Sequence, residues 1–207
     1  MSFEILLTYI LAVIIIVSIP GPNIILIIND SIKHGFNKSL YTILGIKLGT
    51  SFLFLVSLSG LTALLSLFSS MFAIIKWVGV FYLIYLGTSQ IISSLKETPV
   101  GDKYEDKDNN FLLKGFMISV TNPKGLLFAG AFFPQFINDQ LAIWPQILIL
   151  CGGFLLISFI IEIIYAYISD TTGKMFKSNN FKIITERVSG VFLIMFGLGL
   201  SLVKKSN

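Results

Sequence analysis

The chain has 207 residues, of which 55% are hydrophobic and 13% charged, and its formal net charge is +4. A soluble domain carries roughly a quarter charged residues, so this balance argues against one. The basic residues are scattered over short polar segments instead of clustering on one arm or helix, which removes nucleic acid as an expected partner and leaves the lipid bilayer.

The chain opens with Met1-Ser-Phe-Glu4, without a basic n-region, and runs into an apolar stretch too long for the core of a signal peptide. The first helix is therefore expected to stay. From Ile5 to Asn29 there is no charge at all, and similar gaps run from Leu48 to Ile75, Trp77 to Leu95 and Leu141 to Ile161. About 20 apolar residues cross the hydrocarbon core as a helix. The predicted spans are Ile5–Ile28, Ser39–Leu64, Ile74–Leu95, Phe111–Ile137, Gln146–Ser169 and Ile183–Val203. The fold expected is all-α: a polytopic membrane protein of six transmembrane helices. Residues 96–110 are too polar for lipid or for a core and divide the chain into three-helix halves, 1–95 and 111–207.

Loop charge predicts orientation. The first, third and fifth connections carry ten Lys and Arg, from Lys33 to Arg187, whereas the opposite side has Lys204 and Lys205 with Lys76 at a helix edge. Those three connections are expected in the cytoplasm, with both termini external on a multi-pass protein of the plasma membrane. Three spans per half make the second half inverted relative to the first, a 3+3 inverted repeat.

The first span is interrupted by Pro20-Gly21-Pro22-Asn23, and its counterpart, the fourth, by Asn122-Pro123-Lys124-Gly125. Membrane helices tolerate a single proline kink, which needs no functional explanation. Matched breaks in corresponding spans point instead to a binding site. Pro20 and Pro22 lack backbone N–H groups and obstruct the preceding turn, so carbonyls around Ile16 and Ser18 lose their helical partners. Beyond the break a half-helix begins with free N–H groups and a positive dipole end, suited to a carboxylate. Asn23 and Asn122 both donate and accept, which fits an amino-acid zwitterion, and Lys124 adds a full charge. These seven positions, Pro20, Gly21, Pro22, Asn23, Asn122, Pro123 and Lys124, are the candidate substrate site.

Lys47 and Glu162 are the other charges within spans, each about seven residues, or roughly 10 Å, from the proposed cytoplasmic end of its helix. Charges at that depth need a partner or a watery cavity, unless Lys47 snorkels to the surface and Glu162 pairs with a loop lysine. Asp30 and Asp139 each follow an asparagine just beyond a span and read as solvated helix ends. Gly45 and Gly49 form a Gly-x-x-x-Gly pattern that permits close helix packing. His34 and Cys151 are the sole residues of their types, which leaves no disulfide, no redox pair and no soft-metal ligand set.

Several of these motifs resemble the LysE-type (RhtB) amino-acid exporters over nearly the whole chain. Ile19-Pro-Gly-Pro-Asn23 is similar to the first-helix signature, and Lys76-Trp-Val-Gly-Val-Phe-Tyr-Leu-Ile-Tyr-Leu-Gly87 to the third-helix pattern. Thr121-Asn-Pro-Lys-Gly125 followed by Phe132-Phe-Pro-Gln-Phe136 resembles the fourth-helix motif and is the most specific match. The resemblance implies a transporter, not an enzyme: an exporter of amino acids or derivatives driven by the proton motive force, without a cofactor and possibly homodimeric. No phosphate-binding Gly-x-x-x-x-Gly-Lys loop occurs in the sequence. Glu162 is then the candidate proton carrier, with Lys47 as its partner in proton coupling. Two positions depart from the family pattern. Ser158 stands where an acid is common, with Glu162 one turn nearer Tyr165, and Lys47 replaces a common neutral residue. The alternatives are a heavy-metal or other small-solute exporter, which the single His and Cys disfavour, and an intramembrane enzyme, for which no motif is present.

Overall fold

The computed structural model describes residues 3–67, 71–95, 110–122, 125, 132–138, 140–176 and 179–202. Pro123, Lys124, Asp139 and nearly all of the polar 96–110 stretch lie outside them. Among the described residues there are seven α-helices and no strand.

Helix α1 (Phe3–Ser18) stops where Pro20 and Pro22 withdraw two N–H donors, and α2 (Pro22–His34) restarts with Pro22 at its first position, where the missing donor costs nothing. The two axes differ by 54°. Gly35 closes α2 at φ 84°, a left-handed conformation that favours glycine, and its N–H bonds the Ser31 carbonyl at 2.9 Å. After that cap comes α3 (Phe36–Leu67), followed by α4 (Met71–Ser94). Asn110 caps α5 (Phe111–Val120) by accepting from the Leu113 N–H at 3.0 Å. A 3-10 turn at Phe133–Phe136 precedes α6 (Ile143–Phe176) and α7 (Asn179–Leu202).

Phe36–Ser57 in α3 and Ile143–Gly173 in α6 are each long and apolar enough to cross a membrane, and the bent α1–α2 pair adds a third span if taken as one. The outer surface of the bundle carries many large apolar side chains, and polar groups are buried alongside its apolar core. Leu48, Leu55, Leu148 and Leu156 are exposed, whereas Asp30, Ser31, Thr42, Ser158 and Glu162 are buried. Water would disfavour so much exposed apolar surface, whereas a hydrocarbon solvent permits it and requires buried polar groups to find partners within the bundle.

Contacts fix the helix directions. Along α3 and α5, Thr42 meets Gly115, while Gly49 and Thr50 meet Ser119, so these helices run parallel. Along α1 and α6, the Tyr9 hydroxyl donates to the Leu150 carbonyl at 2.5 Å, and α1's Ser18 carbonyl accepts from Tyr165 at 2.8 Å, so these also run parallel. Helix α3 opposes α6, with Phe54 on Phe154 and Phe36 on Tyr167. Helix α4 packs mainly on α7 in antiparallel fashion, Gly87 against Gly190 and Leu83 against Gly197. A Cβ at Gly45 would overlap the Leu112 carbonyl and one at Gly115 the Thr42 carbonyl, so glycine is what allows α3 and α5 to touch.

Asp30 corrects the sequence reading. It is not a solvated helix end but 1% exposed, with Oδ1 accepting from Lys114 Nζ and Oδ2 from Thr42 Oγ1, both at 2.7 Å. Helix α5 carries Lys114 across the end of α2, a contact between residues 84 positions apart that local pattern does not reveal.

Candidate functional site

A cavity of about 70 Å³ opens beside the break between α1 and α2. It collects five of the residues expected to act, Gly21, Asn23, Asn122, Lys47 and Glu162, from four different helices or their ends. Pro20 and Pro22 flank it as the residues that create the break. Pro123 and Lys124 fall outside the described residues.

The backbone released by the prolines is satisfied from elsewhere in the bundle, as an apolar solvent requires. The Ser18 carbonyl accepts from the Tyr165 hydroxyl of α6, and the Pro20 carbonyl accepts from Ser189 Oγ of α7 at 3.0 Å. Gly21 is extended at φ −117° and ψ −169°, and its carbonyl accepts the first α2 bond from the Ile25 N–H at 2.9 Å. The opening turn of α2 therefore faces the cavity with Asn23 beside it.

The second break lies opposite. Helix α5 ends at Val120 with Thr121 as its cap, ahead of the Asn122-Pro123 pair, and Asn122 is 7% exposed. Its Nδ2 donates to Asn23 Oδ1 at 3.1 Å, so the two breaks meet through their asparagines across 99 residues of sequence. This spends the carbonyl oxygen of Asn23 and leaves its amide N–H2 as the group suited to an anion. Below the pair, Thr50 and Ser119 share a hydrogen bond at 2.9 Å between α3 and α5.

Across the cavity the ammonium of Lys47 donates to Glu162 Oε1 at 2.9 Å and to Ser158 Oγ at 2.5 Å. The snorkelling alternative therefore does not describe Lys47, whose side chain is 14% exposed, and Glu162 pairs with it and not with a loop lysine. Ser158 fills the position one turn before Glu162, and its hydroxyl donates a hydrogen bond to the Leu155 carbonyl at 3.1 Å. Lys47 is thus held by a neutral oxygen and a charged one. Glu162 is 4% exposed, and its second oxygen, Oε2, has no hydrogen-bond partner among the described residues. Ile16, Val17, Ile19, Ile24 and Phe154 supply the apolar part of the lining.

Sequence reasoning did not select Ser158, Thr50 or Ser119 for the site. Serine and threonine are commonplace in membrane helices, and only the approach of α3 to α5 and α6 gives these three a polar partner.

A family model described as LysE type translocator matches residues 13–204. An uncharacterized membrane protein of Vibrio cholerae is 30% identical over 98% of this chain and 98% of its own length. The uncharacterized membrane protein YrhP of Bacillus subtilis is 29% identical over 95% of this chain and 99% of its own. A leucine efflux protein of Klebsiella pneumoniae is 29% identical over 64% of this chain and 63% of its own length. No solved structure matches significantly.

Proposed function

The chain belongs to the LysE type translocator family, a family of membrane proteins, and from that premise we propose that it is a secondary exporter of neutral amino acids driven by proton antiport. Relatives named leucine efflux proteins make leucine the first substrate to try. The observation that carries the reading is the meeting of two helix breaks, through Asn23 and Asn122, over a cavity that also holds the Lys47–Glu162 pair.

The chemistry follows from the two ends of that cavity. The first turn of α2 and the amide of Asn23 receive the substrate carboxylate, since free N–H groups and a positive dipole end favour an anion. The wall of Ile16, Val17, Ile24 and Phe154 receives an aliphatic side chain. Protonation of Glu162 removes its charge, releases Lys47 and lets the halves move, and deprotonation towards the cytoplasm restores the pair.

The exchange of helix partners supports an inverted repeat of 1–95 and 111–207. The broken helix of the first half lies parallel to unbroken α6 of the second, and α5 of the second lies parallel to unbroken α3 of the first. Helices α4 and α7, each of 24 residues, are long enough to complete six spans. The ends of α2 and α6 and the starts of α3 and α5 gather on one side, through His34 on Phe111 and Phe36 on Tyr167. Loop charge makes that side cytoplasmic and the termini external on a plasma-membrane protein.

Efflux of radiolabelled leucine and a panel of other amino acids from vesicles, with and without a pH gradient, tests the reading. Gradient-dependent efflux is the expected result, and equal rates in both conditions reject antiport. Orientation is tested separately by an impermeant thiol reagent on intact cells. With Cys151 replaced by serine, a single cysteine introduced near the C-terminus should react and one within residues 101–110 should not.

A further inference from the structure

Glu162 is an anion with two oxygens that the fold treats differently. Oε1 is fixed by the Lys47 ammonium at 2.9 Å, while Oε2 is buried with no donor among the described residues, on a side chain that lines the cavity. A carboxylate can accept about four hydrogen bonds, and buried carboxylate oxygens are normally satisfied. The other polar groups of the lining are engaged with one another: Thr50 with Ser119, Asn23 with Asn122, and Ser158 with Lys47. Glu162 therefore brings to the cavity lining a carboxylate whose second oxygen has no donor among the described residues, although Lys47 already balances its charge.

We propose that Oε2 of Glu162 is the ammonium subsite of the cavity, and that the substrate's ammonium group and the transported proton occupy it in turn. The inference rests on the exporter reading and adds to it the position of the second charged end of the substrate. A zwitterion then lies with its carboxylate at the first turn of α2 and Asn23 and its ammonium at Glu162. Lys47 and Glu162 together carry no net charge, which suits a ligand that also carries none. The Lys47 ammonium additionally repels a substrate with a second positive charge, so cationic amino acids are disfavoured. Exchange follows from occupancy alone. A proton that binds Oε2 forms an O–H bond, cancels the charge that held the ammonium, and frees the amino acid. Loss of that proton to the other side regenerates the carboxylate.

The test is equilibrium binding to the full-length protein in lipid nanodiscs, with leucine and its des-amino counterpart 4-methylpentanoate as probes. In the wild type, leucine should bind roughly a hundredfold more tightly than 4-methylpentanoate, the loss expected when a buried charge partner is withdrawn. Acidification should weaken leucine by about tenfold per pH unit once one proton competes, and should not weaken 4-methylpentanoate in the same way. Glu162→Gln should bring the two ligands to about the same affinity. The double variant Lys47→Met/Glu162→Gln, which leaves no stranded lysine, should do the same if the single variant folds poorly. Wild type that binds leucine no better than 4-methylpentanoate, or a double variant that keeps the preference, overturns the subsite and leaves the exporter reading standing. Wild type that binds none of the twenty amino acids overturns both.

Discussion

Among the described residues two carboxylates are buried beside a lysine, and they are built differently. Asp30 has both oxygens engaged, one by Lys114 and one by Thr42, and it does not line the cavity. Glu162 has one oxygen engaged and one buried without a partner among the described residues, and its side chain lines the cavity. A buried charge with a complete set of partners has nothing left to offer a ligand and ties together the helices that carry them, here α2, α3 and α5. A buried charge with an incomplete set costs stability, and that cost is explicable where a ligand or proton completes the set in the working cycle. This difference, together with the place of Glu162 in the cavity lining, is the basis for proposing that the Asp30 pair is structural and the Glu162 pair functional.

The comparison breaks most visibly at Asp30. Asp30→Ala should strand Lys114 and destabilise the protein by about 3–5 kcal/mol, the usual cost of removing one partner of a buried pair. Leucine efflux per folded molecule should remain near normal. Loss of efflux with unchanged denaturation in detergent would give Asp30 a transport role and erase the distinction.

Glu162→Gln should show the opposite profile, with proton-driven efflux lost and a smaller effect on folding, because the wild-type carboxylate is already incompletely satisfied. A thermal double-mutant cycle with Lys47→Met should give a coupling energy of about 1–3 kcal/mol, since the two side chains are in contact. Additive losses in both stability and efflux would dissolve the pair. Undiminished pH-dependent efflux by Glu162→Gln would remove this residue from the proton pathway.

Asn23→Ala and Asn122→Ala should each cost about 1 kcal/mol, the worth of one hydrogen bond, while strongly impairing export from protein that still inserts. Near-normal export by both variants would take the substrate away from the helix breaks. The smallest effect is expected at Thr42→Val, which removes one of the two donors to Asp30 and should cost about 1 kcal/mol with efflux unaffected.

The membrane solvent, the breaks at Pro20-Gly21-Pro22 and Asn122-Pro123, and the intramembrane charges Lys47 and Glu162 were all legible along the chain. Each is a local violation of what a membrane helix prefers: a missing N–H or an ionised group where hydration is absent. Such violations announce themselves without tertiary information. Lys47 and Glu162 also matched in depth below the proposed cytoplasmic surface, which is why their partnership could be anticipated. Asp30 was misread for the converse reason. It sits at the edge of a span beside Asn29, where solvation is the ordinary outcome, and only the parallel packing of α5 on α3, permitted by Gly45 and Gly115, brings Lys114 over it.

Sequence by itself thus determined the solvent, the helical class and the positions where helices must open, because each is set by the backbone and side-chain chemistry of a few consecutive residues. Tertiary structure decided which opened turn faces which, that Ser158 and not a second acid supports Lys47, and that one oxygen of Glu162 is left without a partner among the described residues while both of Asp30 are engaged. Those outcomes depend on approaches between helices about a hundred residues apart, and the approach distance is set by glycine contacts and helix direction, which no local pattern encodes.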